Sequence, residues 1–150
     1  LDQKNPTLNE MAKSINDANV AKGFYEEPEA IREILQEHGV GFIPAIDRLF
    51  FAQRIALITS EASEALEANR KTKSVDYFNE NATDIILTKS DSEFKDIFET
   101  HIKDTQQDEI ADIFIRLLDL AGYMKIDLDF HVKAKLKYNA LRPYKHGKKY

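Results

Sequence analysis

Along most of the chain, apolar residues recur at helical spacing, and no sustained strand-like alternation of apolar and polar positions is present. The longest such stretch follows Pro44. At 3.6 residues per turn, Ile46, Phe50 and Leu57 fall on one side of a helix, while Phe51, Ile55, Ile58, Ala62 and Leu66 fall on another. A helix that is apolar on two sides is expected to lie between neighbours, so this one is predicted to be central. A second stretch, DEIADIFIRLLDLAG from Asp108 to Gly122, is apolar around most of its circumference. Its single polar stripe is Glu109, Asp112, Arg116 and Asp119, at i, i+3, i+7 and i+10.

Local start and stop signals set the remaining boundaries. Thr7 with Glu10 has capping-box spacing and predicts a helix from Leu8 to about Lys22, stopped by Gly23. Pro28 opens a shorter helix, PEAIREILQEHG, ended by Gly39 and Gly41, and Pro44 opens the long helix, about Ala45 to Arg70. Residues 71–90 are polar and lack a clear period until DIIL at 84–87, which reads as a loop or excursion. Ser90 with Glu93 predicts a modest helix from about Asp91 to Lys103. The helix starting at Asp108 is predicted to end at Gly122. Asp127 is an N-cap for a last helix, about Leu128 to Leu141, which Pro143 stops. The expected class is all-α, a bundle of four or more helices.

Length and composition narrow the field. The 150 residues suit one domain with one core, and 43% apolar content is ordinary for a soluble protein. Apolar runs are short and interrupted by charge, so neither a membrane span nor a signal peptide is expected, and cytoplasmic residence is the default reading. The absence of cysteine removes disulfide, thiolate-metal and redox chemistry. The net charge of −5 is unevenly spread: the seven Lys and Arg after His131 have no acid among them, leaving 14 basic and 26 acidic groups before it. A basic tail on an acidic body suits either a nucleic-acid contact or a cationic lid over an anionic substrate; the overall negative charge makes nucleic acid the weaker option.

The chemistry suggested by the pattern is carboxylate chemistry. Glu61 and Glu64 lie one turn apart in the long helix, and Glu109 and Asp112 lie one turn apart in the second apolar helix. Acids at i and i+3 are common on solvated faces, but two such pairs on largely apolar helices need a compensating cation. All-oxygen ligation favours Mg²⁺, with Mn²⁺ an alternative, and the lack of an ExxH at either pair disfavours a di-iron centre. On the last predicted helix Lys135, Asn139 and Arg142 share one face at i, i+4 and i+7.

The order of these motifs resembles the all-α nucleoside triphosphate pyrophosphohydrolase superfamily, which includes MazG-like proteins and dimeric dUTPases. The resemblance rests on Glu61-Ala-Ser-Glu64, Glu109-Ile-Ala-Asp112 and Lys135-Leu-Lys-Tyr-Asn139-Ala-Leu-Arg142, with the opening ANVAKGFYEE similar to a segment before the first acidic helix of MazG-like members. It covers about residues 8–70 and 107–148. The 44 residues between Glu64 and Glu109 are more than compact members have, which makes about 71–107 an insert: a lid, an oligomer contact or a specificity element. The resemblance implies a MazG-like fold, completed by assembly into a homodimer or homotetramer. It also implies Mg²⁺-dependent cleavage of a nucleoside triphosphate to the monophosphate and pyrophosphate, as in nucleotide-pool house-cleaning. Glu61, Glu64, Glu109 and Asp112 would then be the metal-binding and catalytic carboxylates. Lys135 and Arg142 would grip phosphate, Asn139 would bond sugar or phosphate oxygens, Lys145, His146 and Lys148 would close over the polyphosphate, and Asn19, Lys22 and Phe24 would face base and sugar. The competing expectation is a non-catalytic helical interaction module whose basic C-terminal tail binds nucleic acid or an acidic partner.

Overall fold

The computed structural model describes residues 5–38, 43–71, 73 and 86–143. The protein is all-α, with no strand among the described residues. Its helices are α1 (Leu8–Ala21), α2 (Glu26–Glu37), α3 (Ile43–Arg70), α4 (Asp91–Ile97), a π-helical turn (Phe98–Ile102), α5 (Gln106–Tyr123) and α6 (Leu128–Ala140). None is long and apolar enough to cross a membrane.

Several ends follow directly from local hydrogen bonding. The Thr7 side chain accepts from the Glu10 N–H at 3.2 Å and the Glu10 carboxylate accepts from the Thr7 N–H at 2.7 Å, so two otherwise orphaned donors are satisfied at the start of α1. Gly23, at φ +84°, closes that helix in the left-handed region where a side chain is disfavoured. The Asp127 carboxylate accepts from the Phe130 N–H at 3.0 Å and starts α6. The predicted helix over 91–103 is present but changes type: after Ile97 it widens into a π-helical turn, closed by the Lys103 N–H donating to the Phe98 carbonyl at 2.8 Å.

Two compact units divide the chain, Leu1–Ile34 with Leu118–Tyr150, and Leu35–Leu117. In the first, Ala12, Leu118 and Ala121 form the buried core, flanked by Met11, Ile15 and Leu128. The predicted end of α5, Gly122, lies one residue short of the observed one. The helix continues to Tyr123 and stops through Lys125 at φ +54°, with the Ile126 N–H donating to the Ala121 carbonyl at 2.9 Å. Gly122 serves another purpose: a Cβ there would lie 2.4 Å from the Ala12 carbonyl oxygen, so glycine lets α1 approach the α5 backbone. Around this contact, Asp119 accepts from Asn16 Nδ2 at 2.9 Å and from the Tyr25 hydroxyl at 2.8 Å, and Tyr25 stacks on Tyr123 with ring centroids 4.8 Å apart. Tyr25 is therefore a core residue, 3% exposed, whereas Phe24 beside it is exposed.

The second unit holds α3, α4 and the first part of α5. The expectation that α3 is enclosed on both sides is not met among the described residues of this unit. Only Glu61 and Ala68 are buried on it, and Phe51, Ile55, Leu57 and Leu66 are exposed. A helix apolar on two sides needs a neighbour on each, and among the described residues of this unit Glu61 faces α5 through Arg116 while Phe51, Ile55 and Leu66 on the opposite stripe stay exposed. Residues 74–85, most of the predicted excursion, lie outside the described residues.

Candidate metal centre

Three carboxylates meet in the second unit. Glu61 from α3, and Glu109 and Asp112 from α5, each present an oxygen such that all three atoms lie within 4.8 Å of one another. The spacing within α5 explains its share of the cluster, because residues three apart stand one above the other on a helix face. The first turn of α5 is held by the Thr105 hydroxyl, which accepts from the Asp108 N–H at 3.3 Å and so fixes where that face points. Glu61 and Glu109 are each 6% exposed, and Asp112 is partly exposed.

The electrostatics are those of a crowded anionic site. Burial pushes the Glu109 carboxyl above its ordinary range, and the charges of Glu64, Glu61, Asp108 and Asp112 push it further. Burial also raises Asp112, aided by Asp108 and Glu64 and opposed by the Arg116 guanidinium. No hydrogen bond or ion pair compensates the Glu109 carboxylate among the described residues. Two like charges at about 4 Å cost on the order of 4 kcal/mol at an effective dielectric near 20, so the cluster calls for protons or a cation. The donor set fits a hard divalent ion: it is all oxygen, it contains three carboxylates, and one of them is buried with nothing to bind.

Glu64, the fourth carboxylate of the sequence pattern, stands apart from these three. It is exposed and accepts from the Ser60 hydroxyl at 3.3 Å, yet it is near enough to raise both Glu109 and Asp112. The polar stripe of α5 also divides between the two units. Glu109, Asp112 and Arg116 serve the cluster, while Asp119 belongs to the tyrosine network of the first unit. Arg116 is the site residue that motif spacing left unassigned: its Nη2 lies 2.6 Å from Glu61 Oε1. Its position seven residues after Glu109 was the available signal.

The remaining candidates among the described residues lie in the first unit. Lys135 and Arg142 are exposed, with the Lys135 ammonium 5.4 Å from the centre of the Tyr138 ring. Asn139 is half-buried, and its Oδ1 is fully enclosed without a hydrogen-bond partner among the described residues. Asn19, Lys22 and Phe24 gather at the end of α1, where the Asn19 carbonyl accepts from the Lys22 and Phe24 N–H groups, both at 3.2 Å. Lys145, His146 and Lys148 lie outside the described residues. No protein-family model, curated protein sequence or solved structure matches the chain, so the resemblance to the pyrophosphohydrolases rests on the motifs alone.

Proposed function

We propose that the protein is a Mg²⁺-dependent nucleoside triphosphate pyrophosphohydrolase, with Mn²⁺ as an alternative ion. The observation that carries the reading is the convergence of Glu61, Glu109 and Asp112, including a buried carboxylate left without a partner. These three residues would hold the ion. When bound, a divalent cation supplies positive charge against the polyphosphate and acidifies nearby water. Glu64, exposed and outside the group of three, is the carboxylate free to accept a proton from attacking water. The motif resemblance assigns phosphate binding to Lys135 and Arg142, by a point charge and a planar fork respectively.

The reading is tested by pyrophosphate release from a panel of standard and modified nucleoside triphosphates with Mg²⁺ or Mn²⁺. Turnover is expected on at least one, and Glu64→Gln is expected to lower kcat by about 100-fold or more. No turnover on any triphosphate, or undiminished turnover in the variant, removes the assignment.

Assembly as a homodimer or homotetramer belongs to the same proposal. Its support is the exposed apolar stripe of α3, with Phe51, Ile55 and Leu66, and that of α5, with Ile110, Phe114 and Leu117. Phe114→Asp places a charge on the second stripe and is expected to shift the protein to monomer in sedimentation-velocity measurements. A wild-type protein that sediments as a monomer at tens of micromolar removes the oligomer.

A further inference from the structure

We infer that Arg116 is the resident counter-ion of the carboxylate cluster and that a divalent cation must displace it from Glu61 in order to bind. The inference rests on the metal-centre reading and adds a competitor to it. Arg116 Nη2 lies 2.6 Å from Glu61 Oε1, a charge-assisted contact with a carboxylate whose side chain is 8% exposed. The same guanidinium is close enough to Asp112 to oppose the rise in its proton affinity. It therefore pairs directly with one of the three carboxylates whose oxygens converge within 4.8 Å and lies near enough to a second to be felt there. Among the described residues, no other Lys or Arg pairs with Glu61, Glu109 or Asp112.

Competition follows from the chemistry of the two cations. A guanidinium is charged at every physiological pH, so Arg116 cannot step aside by losing a proton. An oxygen-seeking divalent ion draws on the same Glu61 carboxylate, and a positive charge left beside it would oppose its entry. The Arg116 side chain is 42% exposed, which gives the head group a route into solvent when it leaves. The long flexible stem anchors it on α5, four residues beyond Asp112, wherever the head group moves. Without a divalent ion, the arginine limits repulsion among the acids; with one, it is released to the rim of the site as a solvated guanidinium.

Two measurements test this. Isothermal titration of Mn²⁺ into the full chain is expected to give a dissociation constant about tenfold tighter for Arg116→Gln than for wild type, with Arg116→Lys close to wild type because the charge is kept. A merely structural Arg116 would leave the constant unchanged. Equal or weaker Mn²⁺ binding by Arg116→Gln overturns the displacement but leaves the metal centre standing, whereas no Mn²⁺ binding by either protein overturns both. The second measurement needs no variant: phenylglyoxal modification of wild-type Arg116, followed by peptide mass spectrometry, is expected to be several-fold faster in Mn²⁺ than in EDTA. An equal or slower rate in Mn²⁺ overturns the displacement.

Discussion

Glu109→Gln is expected to make the cation-free protein more resistant to heat while abolishing its stabilisation by Mg²⁺ or Mn²⁺. The wild-type carboxylate is buried, unpaired and surrounded by four other acids, so ionising it in the folded state is costly. Glutamine keeps the size and removes the charge. Relief of a buried, uncompensated group is about 1–3 kcal/mol, and at about 2–4 °C per kcal/mol for a chain of this size the midpoint in EDTA should rise by roughly 2–12 °C. The response to cation goes the other way. A ligand at about 100 times its dissociation constant stabilises the native state by about 2.7 kcal/mol, and a glutamine in the cluster offers no anionic oxygen to collect it.

The same substitution carries a pH signature with a definite sign. Glu109 and Asp112 both hold protons more tightly in the folded protein than ordinary carboxylates do. Between the unfolded and folded values, the native state binds more protons, so cation-free stability is greatest on the acidic side and falls as pH rises through that window. Above it the penalty stays at its full size. Glu109→Gln should flatten the fall, leaving the part due to Asp112, and saturating Mg²⁺ should reverse it because binding requires the deprotonated acids. Thermal unfolding followed by circular dichroism at pH about 5 and about 8, with EDTA or Mg²⁺, reads all of these. A variant less stable than wild type in EDTA, or one that keeps the Mg²⁺ response, would show that Glu109 is neither a strained carboxylate nor a group that a cation needs.

Gly122→Ala is the second large effect, and its sign opposes the usual rule. Replacing a helical glycine by alanine ordinarily gains up to about 1 kcal/mol in helix propensity. At this position the added Cβ would meet the Ala12 carbonyl oxygen at 2.4 Å and the Asn16 Cβ at 2.8 Å. The first contact is with backbone, so α1 itself has to retreat, opening the Ala12, Leu118 and Ala121 core and pulling Asn16 away from Asp119. Overpacking of this kind costs about 1–3 kcal/mol, and a fall in the melting midpoint of roughly 2–12 °C is expected. The cation response should persist, because the three carboxylates belong to the other unit. A midpoint at or above wild type would mean that α1 is not held against α5 as found.

How far the site was readable from residues depends on the range of the interaction concerned. The helix starts at Leu8, Asp91 and Leu128 were legible because the residues that satisfy their first N–H groups lie within a few positions. The acid pairs were legible as pairs because one helical turn fixes the distance between i and i+3. The partner of each pair was not. Glu61 joined Glu109 and Asp112, while Glu64, one turn further along α3, remained exposed and bonded to Ser60. Arg116 was visible as part of a stripe, yet nothing in its spacing showed that it would reach across to Glu61.

By itself, the amino-acid sequence determined the all-α class, most helix ends and the two one-turn acidic pairs, because these follow from hydrogen bonds and periodicity within a few residues. Only the tertiary structure decided which three acids converge, that an arginine neutralises one of them, that Asp119 leaves the stripe to bond Asn16 and Tyr25, and that Gly122 is a point of contact instead of a stop. Each of these depends on the angle and distance at which helices far apart in the chain approach one another, and a periodic pattern specifies the face to be buried without specifying what it meets.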